Sequence, residues 1–439
     1  MIDLSHQHCE KAPCIRIGDA DRNALFQSGL EYNTPARGGW NIVHTGMLVP
    51  EAHQIYVCAQ GCLRGVILTA AEMYAMERLS WITLTEEDMF DGTLESDIVD
   101  GVTDLLHKMP KHPPVVLLFI SCMHMFAGAD FESILAELHD RFPDIHFTDC
   151  YMAPTMRKTF TPTVRMAERL YESLKPLPLN PKAAVIIGND RPTDPDSELL
   201  RIFRKNGFKV HDITLCKTYA EYLKIAESTY AVTYLPTAYK AGENLTEQFG
   251  MKHLHLPASF DYEKIAANYR LLCNTTGVPI PDFSPDIAGA EASLEHAKLL
   301  IGDMPVAIDH LAVSQPFSLA KLLIEHGFRV QHIIADTVTE DADAFDWLKA
   351  HHPDIRIYQD TNVNMLYADS PENVFAIGQK AAYYFHTDRF VDLVANGGFY
   401  GYSGISALAA NMADAYLHEK PHMDIIKLKG FGCPSCLTE

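Results

Sequence analysis

Short runs that are apolar at every position alternate along this chain with longer stretches in which apolar residues return every three or four positions. The run at 115–120 predicts a strand covered on both faces, since a half-exposed strand would alternate with polar residues. It stops at Ser121-Cys122, and helical spacing follows over 130–141. A second such strand is expected over 183–188, then a polar turn, an amphipathic helix over 196–206 and a new strand opening at Gly207-Phe208-Lys209-Val210. Strand 305–308, helix 318–326 and Gly327-Phe328-Arg329-Val330 repeat that cadence, in which a glycine stops a helix and a strand begins. Segments 231–236 and 354–358 read as later strands of the same two repeats. Alternation of this kind predicts an α/β chain of parallel layers joined by right-handed crossovers. We read three Rossmann-like domains with mainly parallel sheets, at 35–180, 181–300 and 301–415, with an N-terminal extension over 1–34 and a C-terminal tail over 416–439.

Composition narrows the function. At 439 residues the chain exceeds one ordinary core, and 47% hydrophobic with 21% charged residues is the balance of a folded soluble protein. A net charge of −21 excludes a general nucleic-acid binder, which needs a basic face, and favours docking onto a basic partner. Residues 1–10 carry no apolar core of a signal peptide and no run reaches the length of a membrane span, so the expected location is cytoplasmic. In a reducing compartment the ten cysteines stay as thiols, and three close pairs, Cys9 with Cys14, Cys58 with Cys62 and Cys433 with Cys436, point to metal. No strand is followed by a dinucleotide-binding glycine fingerprint or a phosphate loop, so any ATP the reaction needs is supplied by another protein.

Ligands of open parallel sheets collect beyond the carboxyl ends of the strands. Cys122 stands just past the strand at 115–120, and Cys62 follows a short strand at 54–57 in Cys58-Ala59-Gln60-Gly61-Cys62. Thiolates from these separate loops can reach one iron–sulfur cluster, and three of them leave a fourth position to a partner, another side chain or a ligand.

These cysteines lie in a longer pattern that resembles nitrogenase component 1 subunits. The Cys58–Cys62 loop is followed by Thr83-Leu84-Thr85-Glu86-Glu87-Asp88-Met89-Phe90-Asp91-Gly92, then Ser121-Cys122 runs on to Ala127-Gly128-Ala129-Asp130. Downstream, Tyr234-Leu235-Pro236, Glu247-Gln248-Phe249-Gly250-Met251, His255-Leu256-Pro257, Gly378-Gln379-Lys380-Ala381 and Gly398-Phe399-Tyr400-Gly401-Tyr402-Ser403-Gly404 keep the family's order. The resemblance implies three Rossmann-like domains, pairing with itself or with a paralogous subunit as a homodimer or heterodimer, and electrons from a nitrogenase iron protein-like ATPase. By position Cys62 and Cys122 match two of three cluster cysteines. The third would fall near Thr45-Gly46-Met47, where this chain has none, and Cys58 is the compensating candidate. A [4Fe–4S] cluster on Cys58, Cys62 and Cys122 is the expectation, with a larger P-cluster-like group as the alternative.

The cysteine and histidine that hold the family's active-site cofactor find no match: Cys273 reads as helix core, and His310 and His326 as surface or helix-terminal. Candidate proton carriers are His44, His124 and Tyr402, from their loop positions. Cys9, Cys14, Cys433 and Cys436 are candidates for a second metal site built from both tails. The expected activity is reduction of a small molecule or cofactor; the competing role is a scaffold for cofactor assembly.

Overall fold

The computed structural model describes residues 14–27, 42–153, 162–368, 370 and 372–424. Its described strands form three sheets. The first strand, β1 (Cys14–Arg16), joins the last sheet. The first sheet has order β3-β2-β4-β5, from β2 (His53–Ala59), β3 (Leu79–Leu84), β4 (Val115–Ser121) and β5 (His146–Met152), all parallel. The second has order β7-β6-β8-β9, from β6 (Asn180–Ile186), β7 (Lys209–Asp212), β8 (Ser228–Thr233) and β9 (Lys252–His255), also all parallel. The third runs β1-β12-β11-β10-β13-β14, from β10 (Pro305–Asp309), β11 (Arg329–Ile334), β12 (Arg356–Tyr358), β13 (Phe375–Ile377) and β14 (Phe390–Val391). Only β1 is antiparallel, pairing Cys14 with Tyr358. The expected α/β fold of mainly parallel, Rossmann-like sheets is therefore present.

The chain divides into two units. One holds the first two sheets, with described residues 42–192 and 207–255; the other holds the third sheet, with 14–27, 193–206 and 256–424. No helix among the described residues is long and apolar enough to cross a membrane.

The continuous apolar strands have the packing their pattern requires. Every residue of β4 is buried. Leu117 and Phe119 face one core with Tyr56 and Cys58 of β2; Val116, Leu118 and Ile120 face the other with Ile55 and Val57. Tyr56 stacks on Phe119 with ring centroids 4.2 Å apart. Burying each such side chain contributes about 1.5–3 kcal/mol, so a strand that buries both faces is held twice over. The glycine cadence is also realised: Gly207 and Gly327 take φ of +72° and +80° and open β7 and β11.

In the second unit the buried carboxylate of Glu198 ties the start of helix Gly401–Leu417. It accepts from the Ser403 amide at 2.8 Å and from the Tyr269 hydroxyl at 2.7 Å. Burial pushes its pKa up, while those two donors pull it down. Gly401 makes this approach possible: at φ +76°, a Cβ there would lie 2.0 Å from the Tyr269 oxygen and 2.2 Å from Glu198 Oε2. Gly401→Ala should cost about 3 kcal/mol through strain and the broken tether, read as a lower denaturation midpoint.

His332 lies buried on β11, its Nδ1 3.0 Å from the Tyr358 hydroxyl. Burial first, then the charges of Arg356 and Arg329, lower its pKa from 6.5 to about 4. Between those values the unfolded chain binds the extra proton, so this contribution to stability is full above pH 6.5 and is lost as pH falls towards 4. Relative to wild type, His332→Gln should show a shallower loss of Tm across that window, measured by thermal unfolding at stepped pH.

Candidate functional site

β2 and β4 lie side by side with Val57 opposite Ile120, so Cys58 stands one residue and Cys122 two residues beyond that last paired rung. Cys58 closes into the core and is fully buried. Helix Gln60–Glu72 begins directly after β2 and carries Cys62, exposed, in its first turn; Gly61 before it has open space around it. Cys122 is the first residue of helix Cys122–Ala127 and is half-exposed. First-turn amides have no partner within a helix and are free to donate to sulfur. The three thiols share one neighbourhood: burial, then the charges of Cys62 and Cys122, push the Cys58 thiol up to about 12.

His124 caps the same turn from the inside. Its Nδ1 accepts from the Ser121 amide at 3.2 Å and lies 3.3 Å from the Ser121 hydroxyl, which assigns the ring proton to Nε2. Burial lowers its pKa, against the opposing pull of the Ser121 amide and Glu95, so the ring is neutral at neutral pH. The buried Nε2 meets no hydrogen-bond partner among the described residues. Large apolar side chains stand out at this edge. Phe126 and Met125 of the Cys122 helix are 74% and 43% exposed, and Phe90, in helix Glu86–Phe90 after β3, is 87% exposed.

The surrounding sequence motifs are devices that aim these loops. Thr85 caps helix Glu86–Phe90 in a reciprocal box with Asp88. Gly128, at φ +70°, ends the Cys122 helix, and Asp130 caps the next helix through the Ser133 amide.

The other candidates lie elsewhere. His44 is half-buried in helix Ile42–Gly46. Tyr402 belongs to the other unit, where its hydroxyl donates to the Tyr262 carbonyl at 3.2 Å and its ring packs with Tyr262, Tyr269 and Phe283. Cys14 is exposed on β1, while Cys9, Cys433 and Cys436 lie outside the described residues. Cys273 is buried in helix Tyr262–Thr276, and His326 sits at a helix end bonded to Leu322 and Glu291. His310, read from the sequence as surface or helix-terminal, is 27% exposed at the side chain. It joins Asp336 and Asp360 at the carboxyl edge of the third sheet, a grouping that sequence reasoning missed. The available signal was Asp309-His310 directly after the apolar run at 305–308.

A model of the family described as nitrogenase component 1 type oxidoreductase matches residues 43–417. The chain belongs to that family. Two solved structures described as nitrogenase Cp1 share its fold. That at pH 6.5 has 13% identity, covers 91% of this chain and 96% of its own, and has a TM-score of 0.68. That at pH 5 has 11% identity, covers 94% of each chain, and has a TM-score of 0.58. No curated protein sequence matches the chain. Membership in the nitrogenase component 1 type family places the cysteine edge in an oxidoreductase fold.

Alkylation by iodoacetamide of the reduced, metal-stripped chain should modify exposed Cys62, like exposed Cys14, before half-exposed Cys122, with Cys58 and Cys150 reacting only on unfolding. Peptide mass mapping over time reads the order, and early labelling of Cys58 would contradict its burial.

Proposed function

We propose that this chain is the iron–sulfur subunit of a nitrogenase-like reductase, with Cys58, Cys62 and Cys122 as cluster ligands at the carboxyl edge of the first sheet. The observation that carries this reading is the placement of three thiols just past the carboxyl ends of the paired strands β2 and β4, near enough for Cys62 and Cys122 to act on Cys58. A set of soft thiol ligands at helix first turns, whose amides have no partner within the helix, fits a group whose sulfur accepts hydrogen bonds. A [4Fe–4S] cluster bound there would supply one-electron transfer at low potential.

The chain's own residues have definite tasks in this account. Cys62 and Cys122 offer accessible sulfur ligands, and Cys58 anchors from the core side. The Cys58 proton, held firmly by burial, is displaced when iron binds, so loading releases protons. His124 holds the Cys122 turn through Ser121. Three ligands from this chain leave the fourth to a partner. Exposed Phe90, Met125 and Phe126 at the same edge favour a second component 1 subunit, either a copy of this chain or a paralogue, that covers the edge and keeps water from it. The absence of a phosphate loop from the sequence favours an external iron protein-like ATPase as electron donor, which injects electrons for reduction of a small molecule or cofactor.

Iron and acid-labile sulfide should be present in equal amounts in anaerobically purified chain, with a reduced-cluster EPR signal after dithionite. Both should fall severalfold in Cys62→Ala and in Cys122→Ala. Iron absent from wild type, or unchanged in both variants, would overturn the proposal.

A further inference from the structure

The third sheet repeats the edge geometry with different chemistry. β12, β11, β10 and β13 are consecutive neighbours, and just past their carboxyl ends stand Asp360, Asp336, His310 and Lys380. One ligand atom from each of His310, Asp336 and Asp360 lies within 4.8 Å of the others. From this arrangement we infer that His310, Asp336 and Asp360 form a site for a first-row divalent cation, separate from the cysteine edge and independent of the function proposed above.

Three features make this a built site rather than a group of acidic residues. First, the His310 Nδ1 meets the Ile334 carbonyl at 3.1 Å, which puts the proton on Nδ1 and leaves the Nε2 lone pair facing the carboxylates. Nε2 is 3.9 Å from Asp360 Oδ2, too far for a hydrogen bond but suited to two ligands of a common ion. Second, the Asp360 side chain is 3% exposed, yet its Oδ1 accepts nothing among the described residues; Asp336 Oδ1 is in the same position. Third, the supporting contacts hold these ligands from behind. Lys380 Nζ pairs with Asp360 Oδ2, the Asp360 amide bonds the Asp336 carboxylate, and the Tyr384 hydroxyl donates to the Asp360 carbonyl at 3.1 Å.

The neighbouring Asp309 is fully engaged by the Leu311 and Lys380 amides, at 2.8 and 3.0 Å, and is not a ligand. Three carboxylates against the one ammonium of Lys380 leave two negative charges when His310 is neutral, and a divalent cation balances them. One imidazole with two carboxylates suits Mn²⁺, Fe²⁺ or Zn²⁺. Three protein ligands leave positions open to water or an anionic ligand, as in sites that act on what they bind.

The test uses the full chain, purified anaerobically, stripped with a chelator and titrated with Mn²⁺, which thiols bind weakly. Loss of the free-ion EPR signal counts the bound metal, and electron spin-echo modulation detects a coordinated imidazole nitrogen. The expected result is one Mn²⁺ per chain carrying one nitrogen coupling. Asp336→Asn should weaken binding at least about 10-fold. His310→Gln should abolish the nitrogen coupling, and Cys62→Ser should leave both readouts unchanged. No retained Mn²⁺ in wild type, retained Mn²⁺ without nitrogen coupling, or binding untouched by Asp336→Asn would overturn the proposal. Should a variant fail to fold, the wild-type nitrogen coupling decides.

Discussion

Parallel pairing of strands buried on both faces is the constraint on which the rest depends. A parallel sheet brings every carboxyl end to one edge, and helices on both faces leave that edge as the place where loops from different strands meet. Residues far apart in sequence then become neighbours without any long excursion of the chain. Cys58 and Cys122 are adjacent because Val57 pairs with Ile120. His310, Asp336, Asp360 and Lys380 meet because four consecutive strands of another sheet end together.

The two edges differ in the donors they carry. The first sheet offers thiols set in helix first turns and bordered by exposed aromatics, a soft set suited to iron and sulfur. The third offers an imidazole and carboxylates braced by a lysine and backbone amides, a harder set suited to a single cation. At the third, the buried Asp360 Oδ1 has no hydrogen-bond partner among the described residues.

Much of this was legible in the sequence because burial on both faces writes continuous apolar runs. β4 and β10 begin where those runs predicted, and each extends one residue further, to Ser121 and Asp309. The glycines before β7 and β11 announced themselves through the left-handed turns they make. Cys62 and Cys122 were visible because a thiol just past a strand has a known place in this architecture. Other features rest on contacts that local pattern does not encode. β14 is two residues long and exists through its pairing with β13, and β1 is ordered by β12, far along the chain. The helix Glu198–Lys205 lies between β6 and β7 in sequence but belongs to the unit of the third sheet, which periodicity cannot reveal. His310 read as surface or helix-terminal because its partners Asp336 and Asp360 follow two other strands, β11 and β12, and only the register of the sheet assembles them.

The central claim is that the cysteine edge holds a cluster completed by a second chain, and anaerobic native mass spectrometry of the purified protein reads both parts at once. The account predicts an assembly of two chains, this one with a copy or a paralogue, that carries the added mass of an iron–sulfur cluster and separates into cluster-free chains when Cys62 is replaced by alanine. A chain that remains single and carries no iron–sulfur mass, or a cluster-bearing assembly indifferent to that substitution, would contradict it.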